Sequence, residues 1–277
     1  MSTKEEKEDF DALIKRNLIN AKKATQEDFG YVINGKTYSS YFKKEVFDPF
    51  VTEAMKVNGF SKLEVTEKDN EPPHAASVAS SSRFCYLGLR NADISVFPEF
   101  IEEKGNGNFV FEKDVPNELS GRNPQMDAYY EGKNTIFNFE FKCQELLEGP
   151  KQPANLSVSY NKVIAQIDPQ GTANIRNLKT KRFDAKQFFT HLSGVIKQDL
   201  NKKKVLSFVY FCPNNLPASL KLVYQELENE INDIFTMPEI MAFCKANNIS
   251  LNYYRFDNDV MDGFENHPGK LKLILSV

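Results

Sequence analysis

Residues 137–142 read Phe-Asn-Phe-Glu-Phe-Lys, and this alternation of aromatic and polar side chains limits the fold of the chain more than any other feature. A period of two is the geometry of a β-strand, in which successive side chains point to opposite faces. Phe137, Phe139 and Phe141 therefore go to one face, and Asn138, Glu140 and Lys142 to the other. Upstream, Glu131-Gly132-Lys133-Asn134 is a turn sequence and Gln125 to Tyr130 reads as a second strand, so the two runs predict a hairpin. With the turn centred on Gly132 and Lys133, Asp127 falls opposite Asn138 and diagonal to Glu140, which puts two carboxylates and an ammonium on one face. A neighbouring register moves this by about one residue, and the sequence leaves that choice open.

Around the hairpin the pattern alternates between helix and strand. Residues 4–28 predict a helix, with Phe10, Leu13, Ile14 and Leu18 at helical spacing. Tyr31 to Tyr38 suits a small hairpin with an Asn-Gly turn, and Ser40 to Val57 a second helix broken near Pro49. Ser77 to Leu89 suits a helix and Asn108 to Lys113 a strand, while 149–180, with Pro150, Pro153, Pro169 and Gly171, reads as an irregular excursion. Asp184 to Gln198 predicts a helix capped by Asp184, with Phe188, Phe189, Leu192, Val195 and Ile196 on one stripe. Lys204 to Phe211 is apolar on both faces, as a central strand is. Ser219 to Phe235 and a segment from Pro238 read as helices, and Ile249 to Phe256 and Lys270 to Val277 as closing strands. The expected fold is therefore α/β, a central mixed β-sheet flanked by helices over 66–277. An N-terminal helical extension over 1–65 precedes it, bounded by the polar stretch from Glu64 to Pro73.

A chain of 277 residues with 41% hydrophobic and 26% charged residues has the composition of an ordinary globular protein with a sizeable core. Cys85, Cys143, Cys212 and Cys244 have no Cys-X-X-Cys spacing, which argues against a zinc site or a disulfide framework and for free thiols. The N-terminus lacks the apolar run of a signal peptide, and no stretch approaches the roughly 20 apolar residues of a membrane span. A soluble, cytoplasmic protein with no membrane partner is expected.

Two carboxylates beside an ammonium suit a hard cation such as Mg2+, with Mn2+ as a substitute, and a lysine there can polarise water and offset charge on a phosphate. A solvated hairpin face carrying ordinary Asp, Glu and Lys has the same pattern and stays open. Ligands on such a face are expected to be exposed and to contribute little to the core. Glu112, after Phe109-Val110-Phe111, is a candidate third carboxylate, with Glu118 as its substitute. Gln187 and His191 share one helix face at i, i+4; Gln187 is a candidate site residue, whereas His191 reads better as a helix-flank histidine. His74 and His267 adjoin prolines and carry no pattern. There is no Ser/His/Asp or Cys/His triad and no phosphate-cradling glycine loop.

Asp127, a short hairpin and Glu140-Phe141-Lys142 resemble the motif of the PD-(D/E)XK nuclease superfamily, although the proline is displaced to Pro124. Ser80-Ser81-Ser82-Arg83-Phe84-Cys85, then Phe111-Glu112, Gly121-Arg122, Asp127 and Phe139-Glu140-Phe141-Lys142-Cys143-Gln144-Glu145, look like one restriction-endonuclease-like branch. The resemblance spans roughly 75–200 and says nothing of the first 65 residues. It implies a metal-dependent endonuclease acting on DNA in restriction or defence against foreign DNA. It further implies metal coordination by Asp127, Glu140, a main-chain carbonyl and Glu112, with Gln187 pointing across the site. Ser77 to Leu89 carries no glutamate, where many members of the superfamily have one.

The net charge of −3 leaves nucleic-acid binding open, because clustering decides it. Residues 176–204 hold nine basic residues, Lys179, Lys181, Arg182 and Lys186 among them, against Asp184 and Asp199 alone. A phosphate-tracking surface has this character, as does a solvated helix with basic flanks. A catalytically silent DNA-binding or assembly module is the alternative from another class, and a homodimer is left open.

Overall fold

The computed structural model describes residues 3–54, 56, 65–97, 100, 108–117, 123–147, 160–171, 173, 175, 178–257, 263–266 and 271–277. The first helix, α1 (Thr3–Asn20), buries Phe10, Leu13, Ile14 and Leu18 as the spacing predicts. It ends earlier than the expected residue 28. Lys22 takes the left-handed conformation with φ 57°, and the Thr25 amide donates to Asp28 Oδ2 over 2.6 Å, capping a separate 3-10 turn. Strands β1 (Phe29–Ile33) and β2 (Lys36–Phe42) form the predicted hairpin. Asn34 and Gly35, at φ 50° and 77°, supply the two positive φ angles a type I′ turn requires. Because β2 runs to Phe42, α2 begins only at Lys44 (Lys44–Ala54), and it continues through Pro49 rather than breaking there. A 3-10 turn at His74–Ala76 precedes the next predicted helix, whose first four expected residues, 77–80, are not helical, Ser77 bridging Tyr41 instead. That helix, α3 (Ser81–Leu89), is capped by Ser80 Oγ, which accepts the Arg83 amide over 3.1 Å.

The main sheet has six strands: β3 (Val110–Asp114), β4 (Gln125–Glu131), β5 (Thr135–Lys142), β6 (Lys203–Phe211), β7 (Ile249–Phe256) and β8 (Lys272–Ser276), hydrogen-bonded in that order. β5, β6 and β7 are parallel and the outer pairings antiparallel, so the sheet is mixed, as expected. Between β5 and β6 lie α4 (Asn161–Ile167) and α5 (Ala185–Val195); α6 (Ala218–Phe235) and α7 (Pro238–Ala246) separate β6 from β7. α4 falls where an irregular excursion was expected; its Val163, Ile164 and Ile167 form a short buried stripe. Residues 149–159, 172, 174, 176 and 177 of that excursion lie outside the described residues.

Helices cover both faces of the sheet, which places the site between layers. On the face of Phe139 and Phe141, Phe84 of α3 stacks on Phe211 at 4.5 Å, and Phe10 of α1 meets the same ring edge-on at 6.1 Å. On the opposite face, Phe188 of α5 and Phe235 of α6 close around Phe208. The chain entering α5 is held by one carboxylate: Glu230 accepts the amides of Lys181, Arg182 and Phe183 over 2.7, 2.9 and 2.9 Å. Asp184 then caps α5 as predicted, accepting the Gln187 amide over 2.9 Å. At Gly194 a Cβ would lie 2.8 Å from Pro124 Cγ, so only glycine lets α5 sit this close to the segment leading into β4. Cys85, Cys143 and Cys244 are buried, Cys212 is half-buried, and all are free thiols. Among the described residues no helix is long and apolar enough to cross a membrane.

Candidate active site

The β4–β5 hairpin differs in register from the favoured expectation. Gly132 N donates to Thr135 O over 2.8 Å, which centres the turn on Lys133 and Asn134. Tyr129, rather than Asp127, is the partner of Asn138. Pairing with β5 ends at Ala128↔Phe139, whereas pairing of β4 with β3 continues to Asp114↔Gln125. The sheet therefore opens one step before Asp127 and Glu140 would meet as direct partners. In that opening the Phe141 amide, a ladder donor, is taken by Asp127 Oδ2 over 2.6 Å. Asp127, Glu140 and Lys142 do share a face, and all three line a cleft of about 770 Å³.

Glu140 is only 2% exposed, contrary to the expectation of exposed ligands. The reason is α5, whose Gln187 and His191 project onto it. Glu140 Oε1 accepts from Lys142 Nζ over 2.5 Å and from Gln187 Nε2 over 2.6 Å. His191 Nε2 approaches Glu140 Oε2 to 2.9 Å. The pair stands at ion-pair distance, although neither atom has a well-aligned hydrogen bond. Gln187 thus meets Glu140 directly, and His191, read as a flank residue, belongs to the same cluster.

Burial, then the nearby Glu140 charge, raises the Asp127 carboxyl well above the ordinary range. Burial acts on Glu140 in the same sense, but the Lys142 ammonium, then His191, outweighs it and brings that carboxyl down to about 2. For Lys142 burial opposes the charge, yet Glu140, Glu145 and Asp127 together raise its pKa, so the ammonium stays protonated.

Glu112 lies between the pairs Phe111↔Ala128 and Lys113↔Met126, across from Asp127, and also lines the cleft. Its φ of 52° is rare for a residue with a side chain, and such strain concentrates at functional sites. The sequence pattern did not pair Ser81 with Glu145, 64 positions apart. Ser81 Oγ donates to Glu145 Oε1 over 2.9 Å and Cys143 N to its Oε2 over 2.6 Å, fastening the start of α3 to the end of β5. His74 also lines the cleft; Glu118 and His267 lie outside the described residues.

The basic segment divides. Lys186 is exposed and lines the cleft; Lys179 and Lys181 are exposed but do not line it. Arg182 is held inside the protein: its Nε donates to Glu226 Oε2 over 3.0 Å, Nη1 to Leu146 O over 3.3 Å, and Nη1 lies 3.5 Å from Glu6 Oε2. Its side chain, 13% exposed, is a strut and not a free cation.

Among the described residues no three His, Cys, Asp or Glu side chains gather closely enough to form a metal cage of their own. Comparison with known proteins finds no match, whether to a family model, a curated protein or a solved structure.

Proposed function

We propose that this chain is a magnesium-dependent endonuclease hydrolysing DNA phosphodiester bonds, with Asp127, Glu140 and Lys142 at the centre of its active site. The observation that carries this reading is Glu140 Oε2: a buried carboxylate oxygen without an aligned hydrogen bond, in a cleft shared with Asp127 and with Lys142, whose pKa its carboxylate neighbours raise. Such an oxygen fits a hard cation, and Asp127, fixed through Oδ2, supplies a second carboxylate. Magnesium is commonly held by one or two carboxylates, substrate phosphate and water, which agrees with a donor set short of a closed cage. Bound there, the metal supplies an acidified water and neutralises phosphate charge.

The chain's own residues do the remainder. Gln187 and Lys142 fix Glu140 through Oε1, and the Lys142 ammonium opposes negative charge that grows on the phosphate in the transition state. Glu112 adds negative charge beside Asp127. Lys186 at the cleft contacts the DNA backbone, a contact that positions without reading sequence. A role in restriction or defence against foreign DNA rests on the motif resemblance.

The test is supercoiled plasmid incubated with the purified chain, with and without Mg2+. Nicked and linear products that need the metal and disappear with EDTA are expected. DNA retention in a mobility shift with no cleavage in Mg2+ or Mn2+ would overturn the enzyme reading in favour of a DNA-binding module.

A further inference from the structure

We infer that His191 is itself a metal ligand: Nε2 of His191 and Oε2 of Glu140 occupy adjacent corners of one coordination sphere, and the site prefers a divalent transition metal of the manganese type to magnesium. This rests on the proposed metal site and adds a nitrogen donor to it.

The two atoms are 2.9 Å apart. Adjacent donors on an octahedral ion with bonds of about 2.1 Å lie about 3.0 Å apart, by right-angle geometry. An ion pair would also explain the distance, but Glu140 Oε2 and both His191 ring nitrogens lack a well-aligned hydrogen bond. Both residues are 2% exposed, so water does not readily satisfy these atoms, and burying them unpaired is costly. The other carboxylate oxygen, Oε1, carries both available donors, Lys142 and Gln187. The carboxylate is thereby turned so that its uncommitted oxygen faces the uncommitted imidazole. Neither ring nitrogen has an aligned hydrogen bond to give up when a cation binds.

The donor chemistry sets the selectivity. Magnesium favours oxygen and binds nitrogen poorly, whereas imidazole suits first-row transition ions. Glu140 and His191 then provide one oxygen and one nitrogen to the ion, with the remaining corners left to water and phosphate.

The test uses the full chain freed of metal, titrated with Mn2+ alone while free aqueous Mn2+ is followed by electron paramagnetic resonance. Pulsed measurements on the bound ion detect a directly coordinated imidazole nitrogen. A nitrogen coupling is expected in the wild type and should vanish in His191→Gln, with Mn2+ affinity falling about tenfold or more and Mg2+ affinity changing little. The chain has three histidines, so the coupling must persist in a His74→Ala, His267→Ala double variant; this assigns it to His191 even if His191→Gln does not fold. Mn2+ bound without nitrogen coupling, a coupling lost in the double variant, or no Mn2+ binding at all would overturn the inference. Metal-dependent plasmid cleavage without nitrogen coupling removes this ligand and leaves the nuclease reading. Nitrogen-coupled Mn2+ without cleavage does the reverse.

Discussion

The Asp127 carboxylate takes the place of a backbone carbonyl in the ladder, accepting the Phe141 amide over 2.6 Å where β4 and β5 part. One carboxylate thus satisfies a strand amide and faces the cleft, and its neighbour Glu140 is held from the other side by α5. Stability and chemistry are coupled here, and variants of these residues should report on both.

Glu140→Ala should abolish cleavage and also destabilise the fold. Removing the carboxylate leaves Lys142 and Gln187 without their partner, and breaking a buried pair costs about 3–5 kcal/mol. Glu140→Gln keeps the shape and one acceptor, so it should lose activity at a smaller cost. Paired plasmid assays and denaturant titrations test this; cleavage retained in either variant would remove Glu140 from the site.

The raised Asp127 carboxyl makes stability depend on pH. The folded chain keeps this proton at pH values where the unfolded chain has lost it. The associated stability is present below the ordinary carboxylate range and declines as pH rises through the elevated value. Asp127→Asn keeps an acceptor for the Phe141 amide and never ionises. In metal-free buffer its Tm should stay flatter than that of the wild type as pH rises, while cleavage is lost. Parallel Tm curves for the two proteins would contradict the assignment of the proton to Asp127.

Lys142→Met retains most of the apolar stem and deletes the charge. Turnover should fall by roughly two orders of magnitude or more, the scale of a single electrostatic donor, with DNA affinity measured in Ca2+ nearly unchanged. Near-normal turnover, in a preparation whose cleavage requires an added divalent metal, would mean that Lys142 merely neutralises Glu140.

Lys186→Ala and Arg182→Ala should separate binding from stability. Lys186→Ala should reduce the salt dependence of DNA binding by about one counterion. Arg182→Ala should leave that slope unchanged and lower stability on the order of 2 kcal/mol, because it removes buried hydrogen bonds. A slope that moves with Arg182 and not with Lys186 would relocate the DNA path.

What the sequence made legible was local. The Phe-Asn-Phe-Glu-Phe-Lys alternation located β5 at the residues it occupies, and Asp184 marked the start of α5 because its side chain satisfies an amide three residues on. The hairpin register was not legible, since Gly132, Lys133 and Asn134 support more than one turn position and the Gly132–Thr135 bond decides between them. Nor was the burial of Glu140. It depends on how closely α5 descends on the sheet, set by the absence of a side chain at Gly194 against Pro124 and by Glu230 gripping residues 181–183. The role of His191 was hidden for the same reason: a helix-flank histidine becomes a site residue only once a strand 51 positions earlier lies beneath it.

The position of Arg182 also bears on how the molecule can be divided. Its guanidinium joins Glu6 of α1, Leu146 after β5 and Glu226 of α6, while Phe10 rests on Phe211 of the central sheet. Deleting the first 65 residues would uncap an arginine and strip the cover from an aromatic ring, so a fragment beginning at residue 66 would carry a raw apolar wound rather than a clean edge. The opening helix is a wall of the building and not its porch.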